Sequence, residues 1–390
     1  MVIHNLGQAG MEVQLRHLAT ALVRQGHEVT IACVNEVHTD FAPFRDEGIR
    51  AFELRADDLA SRLRALPTLV RLARRHDVVH CTGWDSSLWG RLAAAAARRP
   101  VVVTEHSLDR RLQTNGSASR MRLIAAHHRL LQPVTYATIA CATGQIDLLL
   151  REGVDSRRLV HVPNGVPIAD IEHSARTGPT REDFGIPAGA LVVAHVARFH
   201  PLKNQRATLD AVARLREELG DVRALLVGKG DQLEEMRRYA AEIDADWATF
   251  TGRRSDVGAM FALADLAVLP SFAEAMPLTM IEAMAVGVPL VATDVGDVPG
   301  VLRATAAGVC VPRGDPDAFY EACRGLLLDA ELRRSMGANA LRARWSFDAH
   351  VMAERYSLLF EGAIEARAVR AVLGNPAWNG TSGGAMEATG

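Results

Sequence analysis

Two carboxylates, Glu274 and Glu282, bracket the start of a helical pattern in SFAEAMPLTMIEAM. Pro277 suits the first helical position. Glu274 then lies on the approach loop, which Met276 closes, and Glu282 in the second turn. The free N–H groups near Leu278 and Thr279 suit a phosphate. Glu274 can reach the hydroxyls of a sugar held over the helix end, and Glu282 those of a ribose. A nucleotide-sugar would lie across this helix start in the order sugar, phosphates, ribose. The plainer alternative is one Glu that favours the helix dipole and a second that is simply solvated.

A second loop, ARFHPLKNQ, carries Arg198 and Lys203 between a strand and a helix. Two cations beside a helix N-terminus suit a diphosphate and would stabilise it as a leaving group. Two isolated basic residues are otherwise an ordinary solvated pair. In LLVGKGDQ, Gly228 and Gly230 make a tight strand-to-helix turn with Lys229 projecting from it. Such turns are common in α/β domains. Arg253, in TFTGRRSDV, can wall a nucleotide or be an exposed turn residue.

These loops need strands to hold them. Apolar, β-branched runs at 28–33, 77–81, 100–104, 134–141 and 159–162 alternate with helical patterns near 11–25, 57–75, 84–98, 117–131 and 144–153. The alternation restarts with strands at 190–196, 222–227, 248–251, 266–270, 289–292 and 308–311. Helices there fall near 203–219, 231–242, 255–263, 277–286, 315–328, 330–343 and 347–366. Alternation of this kind predicts α/β architecture with parallel sheets covered on both faces. Residues 167–188 lack apolar periodicity and read as a linker. The expected division is 1–168, 169–346, a C-terminal helical segment at 347–371, and 372–390, a disordered tail. In open parallel sheets, ligands bind at the carboxyl ends of strands.

A net charge of −2 excludes nucleic-acid binding by bulk electrostatics. Of 44 basic residues only Lys203 and Lys229 are lysines, so surface charge is carried almost wholly by arginine. The five cysteines (33, 81, 141, 310 and 323) show no metal-ligand spacing, which implies a reducing compartment without disulfides or structural zinc. No run approaches the roughly 18 apolar residues of a membrane span. The start, MVIHNLGQAG, is not a secretion signal. The expected location is cytoplasmic.

Taken together, these residues resemble the large retaining glycosyltransferase family 4, of GT-B fold, along about residues 3–366. Its Glu-x7-Glu motif matches Glu274 to Glu282, and its Gly/Ala-Arg-(x)4-Lys loop matches Ala197, Arg198 and Lys203. Its Val-Gly-x-Gly turn matches 227–230, and its Asn-Gly-Val matches Asn164 to Val166. The resemblance implies two Rossmann-like domains facing across a cleft, the first (1–168) acceptor-binding and the second (169–346) nucleotide-sugar-binding, with the helical segment 347–371 crossing back to the first. It implies that Arg198 and Lys203 bind the donor diphosphate, Glu274 the sugar and Glu282 the ribose. His106, in TEHS, matches a histidine near the reacting sugar, and Gly10 matches the glycine-rich first loop. Two departures stand out: Ala9 replaces the first of two adjacent glycines, and Ala275 replaces a glycine after the first Glu.

The implied reaction is transfer of a hexosyl or N-acetylhexosaminyl group with retention to a hydroxyl of a glycan, glycolipid or small metabolite. UDP-sugars are the first expectation for the donor and GDP-mannose the second. No cofactor or metal is expected, and the Asp-Ala-Asp at 244–246 is given no metal role. One alternative is a GT-B nucleotide-sugar epimerase. Another, a nicotinamide-dependent oxidoreductase, lacks the full GxGxxG spacing. The acceptor is not legible. Residues 108–132 mix Arg with Leu, Ile and Met and read either as a peripheral membrane contact or as a solvated helix with a core face.

Overall fold

The computed structural model describes residues 1–6, 10–35, 41–106 and 117–374. The chain divides into two compact units, one of residues 1–165 with those from Ala349 onward, the other Val166–Asp348. The expected divisions at 168 and 346 fall within three residues of these. The expected tail does not begin at 372: Val369–Leu373 is a short helix that buries Val369 and Val372. Residues 375–390, most of the first loop and residues 107–116 lie outside the described residues.

The first unit holds seven parallel strands: β1 (Val2–Ile3), β2 (Thr30–Cys33), β3 (Arg50–Glu53), β4 (Val79–Thr82), β5 (Val101–Glu105), β6 (Thr135–Ala140) and β7 (Leu159–His161). They lie in the order β3-β2-β1-β4-β5-β6-β7. The second unit holds six, β8 (Leu191–Val196), β9 (Val222–Val227), β10 (Ala248–Gly252), β11 (Leu266–Leu269), β12 (Leu290–Thr293) and β13 (Gly308–Val311). Their order is β10-β9-β8-β11-β12-β13, again all parallel. In both sheets the strand order reverses beside the first strand, which creates a switch point where loops diverge. The central strands are buried on both faces, as their continuous apolar runs require.

Several elements differ from expectation, among them the short helices Ala42–Asp46 and Val369–Leu373. Residues 167–188 are not a linker: Ile168–Thr177 is helical, buries Ile168 and Ile171, and packs on the helix Val257–Ala262. Its two buried isoleucines are too few to give a visible period. β3 (RAFE) was not expected, because an edge strand with a partly exposed pattern lacks a clean apolar signal. The helix Val298–Thr305 also went unread, since Pro299 and Gly300 mask its start. The helix Ala349–Ile364 packs along Gly10–Arg24, burying Met352, Tyr356 and Phe360 in the first unit's core.

Candidate functional site

The second unit's loops are stitched together before any side chain is considered. Beyond β8, Ala197 N–H donates to Val227 O (3.0 Å) and Phe199 N–H to Lys229 O (2.9 Å), so strand pairing continues into the loops. This needs the backbone of 228–230 to lie flat against 197–199. A Cβ on Gly228 would stand 2.0 Å from Ala197 O, and one on Gly230 would stand 2.1 Å from Phe199 O. Both glycines also have positive φ, so their type is fixed twice over. Gly228 N–H donates to Gly252 O (2.8 Å), and Arg253 follows there, exposed, at the end of β10.

The loop after β8 turns sharply. His200 Nδ1 accepts from Leu202 N–H (3.2 Å), and Asn204, at φ 54°, delivers the chain into the helix Gln205–Leu219. Phe272 N–H then donates to Leu202 O (2.8 Å) and Asn204 Nδ2 to Pro270 O (3.3 Å), which ties this loop to the one after β11. The consequence is a direct meeting of two predicted site residues: Lys203 Nζ lies 2.5 Å from Glu274 Oε1. Their side chains are 26% and 10% exposed, so the pair is largely shielded from screening. Ser271 Oγ donates to the same carboxylate oxygen (2.8 Å), and Ser271 O accepts from Thr293 Oγ1 (2.6 Å).

Arg198 does not join that pair. Its half-exposed guanidinium reaches Asp231 at 3.3 Å, while Gln205 Nε2 holds its carbonyl at 2.9 Å. It stands with the glycine turn, one loop over. The arrangement leaves cations on two sides of the strand ends, one paired to a carboxylate and one tied loosely to an exposed aspartate.

The helix begins at Leu278, with Pro277 just outside as its cap residue rather than at its first position. Met276 and Leu278 are buried and Thr279 half-buried, so at this start the backbone N–H groups, more than side chains, are what can meet a ligand. Glu282 is not the solvated residue of the plainer alternative. It is 9% exposed, and burial pushes its carboxyl up to about 7.

One partner was missed. Gly296, after β12, sits at φ 54° with its Cα against the Glu274 loop: a Cβ there would lie 2.2 Å from Ala275 O and 2.4 Å from Glu274 O. Asp297 N–H donates to Ala275 O (2.8 Å). The TDVGD stretch signalled a turn after a strand, but nothing in sequence placed it under Glu274.

In the first unit, His106 follows β5. Burial lowers its imidazole to about 4, against the opposing charge of Glu105, so the ring is neutral near pH 7. Gly10 opens the helix Gly10–Arg24 in open space, so packing within the described residues does not demand glycine there. Among the described residues, no group of three or more His, Cys, Asp or Glu is placed to hold a metal.

Two doubly wound parallel units, the second with phosphate-suited loops at its strand ends, define a GT-B architecture. A solved structure, HepE of Anabaena in complex with UDP, matches with a TM-score of 0.77 at 18% identity, covering 93% of this chain and 98% of that one. The family model "Glycosyl transferase 4-like domain" matches residues 9–165, and "Glycosyl transferases group 1" matches 190–329. Among curated relatives, a D-inositol 3-phosphate glycosyltransferase of Pseudarthrobacter chlorophenolicus is 26% identical, covering 89% of this chain and 90% of the relative. A phosphatidyl-myo-inositol mannosyltransferase of Mycolicibacterium smegmatis is 27% identical, covering 90% of each. The chain belongs to glycosyltransferase family 4, the group 1 glycosyl transferases, and its activity is glycosyl transfer.

Proposed function

We propose that the protein transfers a hexosyl group with retention from a nucleotide-sugar, a UDP-sugar first and GDP-mannose second, to a hydroxyl of an inositol phosphate or an inositol lipid. The observation that carries the donor side is the shielded Lys203–Glu274 pair beside the start of a helix that buries Glu282. Lys203 and Arg198 take the diphosphate, the N–H groups at Leu278 and Thr279 complete its cradle, Glu274 moves onto the sugar, and Glu282 accepts from the ribose. Gly228 and Met276 shape the floor, and Arg253 walls the base. The acceptor class follows the two relatives' names, which both specify inositol compounds.

Retention places the acceptor oxygen on the face from which the diphosphate leaves. A leaving phosphate oxygen takes the hydroxyl proton as the new glycosidic bond forms, and fixed cations stabilise the charge that develops. The neutral His106 ring faces the reacting sugar as a hydrogen-bonding group. No metal is required, since Arg198 and Lys203 supply the countercharge. The epimerase alternative finds no support in these relatives.

No helix of the described residues is long and apolar enough to cross a membrane. Peripheral contact is part of the proposal: the helix Ala118–Leu131 exposes Leu123 (61%) and Leu130 (76%) beside exposed Arg122 and Arg129. Thermal-shift titration with UDP-glucose and GDP-mannose, followed by product analysis with inositol 3-phosphate, tests the donor and the acceptor in turn. No stabilisation by either donor would refute the reading.

A further inference from the structure

Strand β5 and its exit read Val-Val-Val-Thr-Glu-His over residues 101–106. The three valines sit fully buried in an apolar sheet. Thr104 and Glu105 are equally buried, yet polar, and point to opposite faces because side chains alternate along a strand. Burying a polar group costs unless it is paired, and valine at 104 would fit the same space. The chain instead surrounds Thr104 with partners.

On one face, Thr104 Oγ1 lies 2.8 Å from His80 Nε2 on β4 and 2.8 Å from Tyr356 Oη on the C-terminal helix Ala349–Ile364. A threonine hydroxyl donates once and accepts twice, so it serves both at once. Tyr356 and His80 also touch edge to face, ring centres 5.5 Å apart, and Phe360 closes the group at 6.0 Å from each ring. His80 is fully buried, and its burial keeps the ring neutral next to His106. On the other face, Glu105 lies 3.7 Å from His128 Nε2, and its charge reaches the buried Arg91 guanidinium. Polar contacts therefore grip β5 on both faces just where it delivers His106.

We infer that Thr104, held between His80 and Tyr356, is a positioning residue for His106, so that the C-terminal helix fixes where that imidazole stands. This rests on the proposal that His106 faces the reacting sugar. Thr104 and Tyr356 are buried beneath the surface that a ligand could reach. They act by holding the last strand residues before His106, where a displacement of about 1 Å costs up to a hundredfold in rate.

The test uses the full chain with Thr104→Val, Thr104→Ser, Tyr356→Phe and His106→Ala. Two quantities are read: kcat and donor KM for nucleoside diphosphate release, and the His106 ring signal in 15N-histidine-labelled protein, assigned by its loss in His106→Ala. Thr104→Val and Tyr356→Phe are expected to lower kcat about tenfold or more, leave donor KM unchanged and shift the His106 signal, while Thr104→Ser restores rate and signal. An unshifted signal with unchanged kcat overturns the inference, as does a Thr104→Ser variant as impaired as Thr104→Val. Wild-type kcat in His106→Ala would instead overturn the role of His106, leaving the signal shift to decide whether Thr104 positions it.

Discussion

Replacing Glu282 by glutamine should make the protein more stable and a poorer donor binder. The carboxyl is buried, has no ion-pair partner among the described residues, and its value rises from 4.5 to about 7. Between these values the folded state holds a proton that the unfolded chain has lost. Wild-type stability from this group therefore falls as pH rises from about 4.5 to about 7 and is level above. The shift corresponds to about 3 kcal/mol. Glutamine keeps the shape and never ionises. Its stability relative to wild type should thus improve by about 3 kcal/mol between pH 4.5 and pH 8, or roughly 6–12 °C in Tm for a unit of this size. Urea unfolding at the two pH values, followed by the fluorescence of buried Trp247, measures it. Other titrating groups cancel because they are common to both proteins. Donor affinity should drop about tenfold, since the ribose loses a charged acceptor. Parallel pH profiles for wild type and variant would show that Glu282 is ionised in the free protein, and the reasoning would fall.

The other predictions concern the same loops. Lys203→Ala and Glu274→Ala should each lower kcat by about a hundredfold or more with far-ultraviolet dichroism unchanged; near-normal turnover in either would remove that residue from the site. Gly230→Ala should destabilise the second unit and weaken donor binding, because its new Cβ meets backbone at Phe199 rather than a movable side chain; a wild-type Tm contradicts this. Turnover should survive exhaustive EDTA treatment, and loss restored by Mg2+ would require a metal. Donor KM should rise as pH falls below about 7, where protonation leaves Glu282 one neutral acceptor oxygen in place of a charged carboxylate for the ribose hydroxyls; a flat KM from pH 5 to 8 argues against ribose contact.

Strong local signals are legible in the sequence; weak ones, such as the two buried isoleucines of Ile168–Thr177, and long-range ones are not. The alternation of buried strands and helices places eleven of the thirteen strands, since parallel strands buried on both faces are continuous apolar runs. The two glycines at 228 and 230 were visible as a turn, but the carbonyls of Ala197 and Phe199 that demand them come from another strand's loop. Lys203 and Glu274 each read as ligand groups in the sequence. That they bond to one another across 71 positions, with Ser271 between, needed the tie of Phe272 N–H to Leu202 O. Gly296 carries no sequence signal because its constraint is the backbone of residues 274 and 275. Thr104 looked like one more strand residue, and only the return of Tyr356 from 252 positions away shows what it holds.

The claim that the second unit's loops bind a nucleotide-sugar for transfer is tested most directly by product analysis. Wild type and Lys203→Ala are incubated with UDP-glucose and inositol 3-phosphate, and the products are read by proton NMR. The account predicts equal amounts of UDP and an α-linked glucosyl product with wild type, and almost none with the variant. A β-linked product would contradict retention, and wild-type conversion by Lys203→Ala would contradict the site itself.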